Sequence, residues 1–418
     1  MFFYDTPELT KYGYYLVNDT IKTFSKFEAY QLAGKNWKNI RFIFNDDEFE
    51  KYDWTVEPEE DIYELYRQRA QQLREKYDYV VLMYSGGIDS HTILETFLQN
   101  NIKLDEICTF SVSDTEDKLK SLNPEVFRTA LPFIETLNLK KIGTVFRDVE
   151  VGKLILDWWN DDFHAENFQY YTIQQQWSGV VRSYYFKSKI KEHMALIENG
   201  KTVCYIWGSD KPSMCVTQNH YALYIPDGAL DLGSKQYVNR LHFNKKFYNF
   251  YDEPFYICRE FPKISIKQSH LLVNLMETIP KTDSRLLLKG QLPTFGPFVS
   301  HHVENNIVKF LDKATIDGCI YPNALLSRFR NDKIYNASLI ISPKDNWFLS
   351  SNHPNRYKFE EQITKIIKEN QNYFYYTNAK NHRLFKQEEY KDTIPKNAGV
   401  TFSRLYFIRP VSNLNNNL

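Results

Sequence analysis

Apolar residues run unbroken through Val80-Val81-Leu82-Met83-Tyr84, the pattern of a strand covered on both faces. Ser85-Gly86-Gly87 follows, and then the period changes: Ile93, Leu94, Phe97 and Leu98 fall on one side of a 3.6-residue turn. The segment reads as strand, glycine-rich loop and helix. Upstream, Glu57-Pro58-Glu59-Glu60 opens another helix, in which Ile62, Leu65, Tyr66, Arg69 and Leu73 share a face. Acidic residues crowd its first turn, and Arg74 and Lys76 lie in its last, as the helix dipole favours. Downstream, further strands are predicted at residues 106–112, 142–146 and 202–207, with a helix over 124–137 and a basic helix over 179–198. This alternation predicts an α/β fold with a parallel, doubly wound sheet that binds ligands at the carboxyl ends of its strands.

The flanks read differently. Residues 1–57 form a small α/β or mainly β lead-in with strands at 14–17 and 40–44; Asn45-Asp46-Asp47 reads as a turn in preference to an acidic site. Residues 58–216 hold the alternating pattern. Residues 217–418 are expected to be a mainly α region closing over the sheet's carboxyl edge. It carries an aromatic stretch at 247–261 and buried helices around Leu271-Leu272-Val273 and Arg285-Leu286-Leu287-Leu288-Lys289. Aromatic residues also crowd 149–176, where a packed surface helix and a pocket wall both fit.

Composition narrows the function classes. The chain has 418 residues, enough for two or three domains, and no apolar run of membrane-crossing length. Its start shows no basic and apolar leader, so a cytoplasmic protein is expected. Five scattered cysteines without a Cys-x-x-Cys pair read as reduced thiols. Lys and Arg together number 52, as do Asp and Glu, so net charge gives no drive toward nucleic acid. The 30 Tyr and 30 Phe read as a compositional bias before base-stacking surfaces. His301-His302 is a poor metal pair, because adjacent histidines point apart and no His-Glu-x-x-His spacing is present.

The loop after residue 84 carries the chemistry. Two glycines let an anion approach the backbone, and the following helix aims N–H groups and a positive dipole end at it, so phosphate is the natural ligand. No lysine stands beside the glycines, which excludes a Walker A loop. The structural alternative is an ordinary strand-turn-helix corner capped by Ser or Asp.

Ser85-Gly86-Gly87-Ile88-Asp89-Ser90 resembles the Ser-Gly-Gly-x-Asp-Ser loop of the N-type ATP pyrophosphatases. Phe110-Ser111 and Gly208-Ser209-Asp210 resemble the strand ends of the asparagine-synthetase-like branch, which includes the β-lactam-forming synthetases. The likeness spans roughly residues 59–214. It departs from asparagine synthetase at Trp207, which precedes Gly208, and at Lys211, which follows Asp210. The resemblance implies the adenine nucleotide alpha hydrolase-like fold. It also implies that Ser85, Gly86, Gly87 and Ser90 hold ATP phosphates, that Phe110 and Ser111 border the adenine, and that Gly208 and Ser209 complete the nucleotide site. Asp89 and Asp210 would share Mg²⁺. A lysine would neutralise the leaving pyrophosphate, with Lys211 and Lys289 as candidates and Arg182, Lys187 and Arg328 behind them.

The implied activity is an ATP-dependent, AMP-forming ligase that adenylates a carboxylate or amide oxygen of a small molecule and transfers an amine. Phe2 stands where a glutaminase nucleophile would, so ammonia, an amine substrate or a separate ammonia-supplying partner is expected. A nucleobase- or tRNA-modifying pyrophosphatase and a non-catalytic nucleotide-binding protein are the alternatives.

Overall fold

The computed structural model describes residues 10–24, 26–33, 39–111, 126–150, 154, 184–208, 213–216, 220–225, 249–277 and 403–410. The lead-in forms an antiparallel sheet of β1 (Tyr14–Val17), β2 (Ile21–Thr23) and β3 (Ile40–Ile43) in the order β2-β1-β3. Helix α1 (Lys26–Ala33) follows β2, and the short α2 (Asp46–Phe49) follows β3. Asn45 takes a left-handed φ of 51° at the start of α2. Asp47 receives Arg259 at 2.6 Å, and Asp46 receives the Tyr406 hydroxyl at 3.2 Å. The Asn-Asp-Asp turn is therefore a docking knuckle between distant parts of the chain.

Helix α3 (Ile62–Lys76) starts at Asp61, whose side chain accepts the Glu64 N–H at 2.7 Å. Ile62, Leu65, Tyr66, Arg69 and Leu73 are all buried, as their spacing requires. Burying a leucine such as Leu65 or Leu73 stabilises the fold by about 1.5–3 kcal/mol.

The chain then enters a five-stranded, all-parallel sheet, so the fold is α/β. Strand β4 (Tyr79–Met83) leads through α4 (Ile88–Gln99) to β5 (Glu106–Ser111). A π-helical turn (Val126–Ala130), α5 (Leu131–Thr136) and α6 (Leu139–Ile142) precede β6 (Val145–Glu150). Helices α7 (Tyr184–Ser188) and α8 (Lys191–Glu198) precede β7 (Val203–Trp207). After β8 (Ser213–Val216) and β9 (His220–Tyr224), β10 (Phe250–Pro254) returns to the sheet and α9 (Lys263–Glu277) follows. Strand β11 (Tyr406–Pro410) pairs antiparallel with β9 in a second three-stranded sheet. The five-stranded order is β10-β7-β4-β5-β6, so the chain starts at the central strand, moves outward on one side, and returns to the other.

Register shows why the strand sequences are continuously apolar. Glu106, Val81, Tyr205 and Asp252 form one row across the sheet, and Ile107, Leu82, Ile206 and Glu253 form the next row on the opposite face. In the first row Glu106 meets His193 of α8 and Asp252 meets Lys187 of α7; in the second, Glu253 meets Arg69 of α3. Helices thus cover both faces, and alternation would leave polar residues facing packed helices.

Two expectations change. The strand expected at 142–146 runs Val145–Glu150 instead. The Asn138 side chain accepts the Lys141 N–H to start α6, and Gly143, at φ 67°, ends it, which delays the strand. The described part of the basic 179–198 stretch is two helices, separated at Lys189 and Ile190. Beyond 216, the described residues form three strands and one helix, and β10 belongs to the parallel sheet; the rest of the region expected to be mainly α lies outside the described residues. The parallel sheet thus takes one strand from beyond residue 216. Among the described residues no helix is long and apolar enough to cross a membrane.

Candidate functional site

Strands β4 and β7 are neighbours, with Met83 opposite Trp207, so Tyr84-Ser85 and Gly208 leave the same sheet edge side by side. This is the point where the strand order reverses. Gly86 adopts a φ of +77°, a conformation that glycine reaches without steric cost. The Ser85 N–H donates to Ser90 Oγ at 3.2 Å, and Ser90 Oγ–H donates to the Gly87 carbonyl at 3.1 Å. The Gly87 N–H donates to Ser85 Oγ at 3.2 Å. Ser85 and Ser90 therefore close the loop on itself, while Ser85 remains exposed and Ser90 is buried. Gly87 occupies the cap position of α4 and has no side chain to cover the helix end.

Two elements distant in sequence press on the first turn of α4. A Cβ built at Gly208 would lie 2.9 Å from Ser90 N and 3.0 Å from the Asp89 carbonyl carbon. The end of β7 thus rests on the Asp89–Ser90 peptide, and only glycine permits it. Tyr256, just beyond β10, donates its hydroxyl to the Asp89 carbonyl at 2.6 Å. Tyr84 Oη and His91 Nδ1 lie 3.0 Å apart, joining the end of β4 to α4. Burial of His91 lowers its pKa to about 4.

Phe110 and Ser111 end β5 beside the loop. The Phe110 ring stacks on Trp207 at 6.2 Å and 19°, and meets the edge of Phe186 at 5.1 Å. Ser111 Oγ–H donates to Asp148 at 2.9 Å, and Thr109 bonds the other oxygen of the same carboxylate at 2.8 Å. The structure brings Ser85, Gly86, Gly87, Asp89, Ser90, Phe110, Ser111 and Gly208 to one edge. Ser209, Asp210 and Lys211 lie outside the described residues, as do Lys289, Arg182, Arg328 and His301-His302.

Sequence reasoning missed the buried carboxylates of β10. Asp252 accepts Trp207 Nε1–H at 2.8 Å and pairs with the buried Lys187. Glu253 is bound by Lys11 at 3.0 Å, by Arg69 and Lys76 at 3.3 Å each, and by Tyr77. Burial alone would raise the Glu253 carboxyl pKa; Lys11, Arg69 and Lys76 outweigh that and hold it far below the carboxylate range. Lys187, a reserve candidate for neutralising pyrophosphate, is 2% exposed and committed to Asp252. The only local signal was Asp-Glu inside an aromatic stretch, since the partners come from elsewhere in the chain.

Asp89 is a half-buried carboxylate beside the hydroxyl-lined loop. Oxygen donors of this kind fit Mg²⁺, which is held by one or two carboxylates together with phosphate oxygens and water. Among the described residues no group of three or more His, Cys, Asp and Glu is placed to hold a metal ion. Cys108, Cys204 and Cys258 are buried free thiols, and burial raises each pKa, that of Cys258 to about 11. No protein-family model and no curated protein matches this chain.

Proposed function

We propose that this chain is an ATP-dependent, AMP-forming ligase of the N-type ATP pyrophosphatase kind, with the doubly wound fold of that superfamily. The supporting observation is the close approach of Gly208 to the Asp89–Ser90 peptide. It joins the two resembling motifs at the reversal point of a parallel sheet, where such sheets bind ligands.

In this reading Ser85, Gly86, Gly87 and Ser90 receive the β- and γ-phosphates at the start of α4, and Phe110 borders the base. Mg²⁺, when bound, would screen phosphate charge; Asp89 would hold it, with Asp210 as the second carboxylate from the sequence pattern. A substrate carboxylate or amide oxygen attacks the α-phosphorus. The bond to the bridging oxygen of the β-phosphate breaks, and pyrophosphate leaves with that electron pair. An amine nitrogen then attacks the carbon bearing the adenylated oxygen; the C–O bond breaks, AMP leaves with its electron pair, and the nitrogen gives up a proton. The loop contributes by positioning and by directing N–H donors at the charge that develops on the leaving group.

The test is incubation of the full chain with α-labelled ATP, Mg²⁺ and pools of carboxylic acids and amines. Labelled AMP is expected. Labelled ADP would refute the reading.

A further inference from the structure

Tyr256 lies outside both resembling motifs, two residues past β10. Strand β7 separates β10 from β4 in the sheet and ends in Gly208, so the bond from Tyr256 to the Asp89 carbonyl bridges the end of an intervening strand. The phenol is 0% exposed, and its ring meets Tyr66 of α3 at 5.5 Å and Phe255 at 5.1 Å. The ring position is therefore set by packing, independently of the bond. Its hydroxyl is the hydrogen-bond donor to the Asp89 carbonyl. At 2.6 Å, that donor fixes the carbonyl of the residue whose carboxylate the proposed reading gives to the metal.

We infer that Tyr256 is a positioning residue for Asp89, orienting its carboxylate toward the nucleotide-bound divalent cation by holding the first turn of α4 through the Asp89 carbonyl. The inference rests on the proposed ATP reading. A ligand held in this way loses metal affinity when its support is removed, typically about 10–100-fold. A hydroxyl that served packing alone would change stability and leave the cation requirement untouched.

The experiment measures ATP binding by the full chain calorimetrically over a range of Mg²⁺ concentrations, with thermal melting alongside. It compares wild type, Tyr256→Phe and Asp89→Asn. Tyr256→Phe keeps the ring against Tyr66 and Phe255, so the fold is retained. The expected result is a Mg²⁺ requirement raised roughly tenfold in Tyr256→Phe and at least as much in Asp89→Asn. A wild-type requirement in Tyr256→Phe, with a raised one in Asp89→Asn, overturns the positioning role and leaves the ATP reading standing. A lower melting temperature in Tyr256→Phe with no change in the requirement also overturns it. A wild-type chain that binds no ATP at any Mg²⁺ concentration, or an Asp89→Asn variant with unchanged dependence, overturns the ATP reading and this inference together.

Discussion

Gly208 and Ser90, 118 positions apart in the chain, stand so close that a methyl group on Gly208 would lie 2.9 Å from the Ser90 nitrogen. The end of one strand thereby shapes the loop that leaves its neighbour. Gly208→Ala must displace the first turn of α4, since the obstructing atoms are backbone. Overpacking of this kind costs about 1–3 kcal/mol. Where that falls on the loop conformation, ATP binding weakens by roughly tenfold or more. Gly143→Ala supplies the contrast: Gly143 has a φ of +67° and open space around its Cβ direction, far from the loop in sequence. It should lower the melting temperature and leave ATP affinity unchanged. Calorimetric titration of both variants checks the difference.

Lys187 and Asp252 form a buried ion pair. Lys187→Met leaves the Asp252 charge uncompensated and should destabilise the fold by about 3–5 kcal/mol. Lys187→Met with Asp252→Asn should recover part of that loss. Chemical denaturation measures both. A normal denaturation midpoint with abolished turnover would instead make Lys187 the pyrophosphate lysine.

The sequence made the loop legible because a covered strand and an amphipathic helix have different periods, and Ser85-Gly86-Gly87 lies where they change. The helix over residues 62–76 was equally plain, since its buried face repeats at helical spacing and even Arg69 falls on it. Strand β10 was not legible. Asp252 and Glu253 are fully buried in it, and a carboxylate is tolerated there only because Lys187, Trp207, Lys11 and Arg69 reach it from positions 45 to 242 residues away. No local pattern records such partners. The edge strand β6 starts three residues later than expected because the helix capped by Asn138 and Gly143 delays it, and its own partly exposed faces give only a weak apolar run.

Glu253 gives an acid limb to stability. Its folded pKa lies far below the ordinary 4.5, so the stabilisation is complete above that value and is lost as pH falls through and below it. Glu253→Gln should therefore be much less stable than wild type at pH 7, with the gap narrowing below pH 4.5. Urea denaturation over pH 3–7 shows this, and a gap independent of pH would contradict it.

His91 acts in a neighbouring window. It titrates at about 4 when folded and near 6.5 when unfolded, so the unfolded chain binds more protons between those values. Its share of stability is full above pH 6.5 and falls as pH drops toward 4. Replacing it with Asn should flatten the stability profile in that interval, as followed by urea midpoints. A slope unchanged by His91→Asn would show that another group titrates there.

The most direct measurement of the central claim is competition against ATP bound to the full chain in the presence of Mg²⁺. A loop that grips the β- and γ-phosphates should let inorganic pyrophosphate displace ATP, with AMP much the weaker competitor. Ser85→Ala and Ser90→Ala should weaken pyrophosphate more than AMP. Displacement by AMP as effective as by pyrophosphate, or pyrophosphate affinity untouched by both serine variants, would contradict the assignment of residues 85–90 as the pyrophosphate loop.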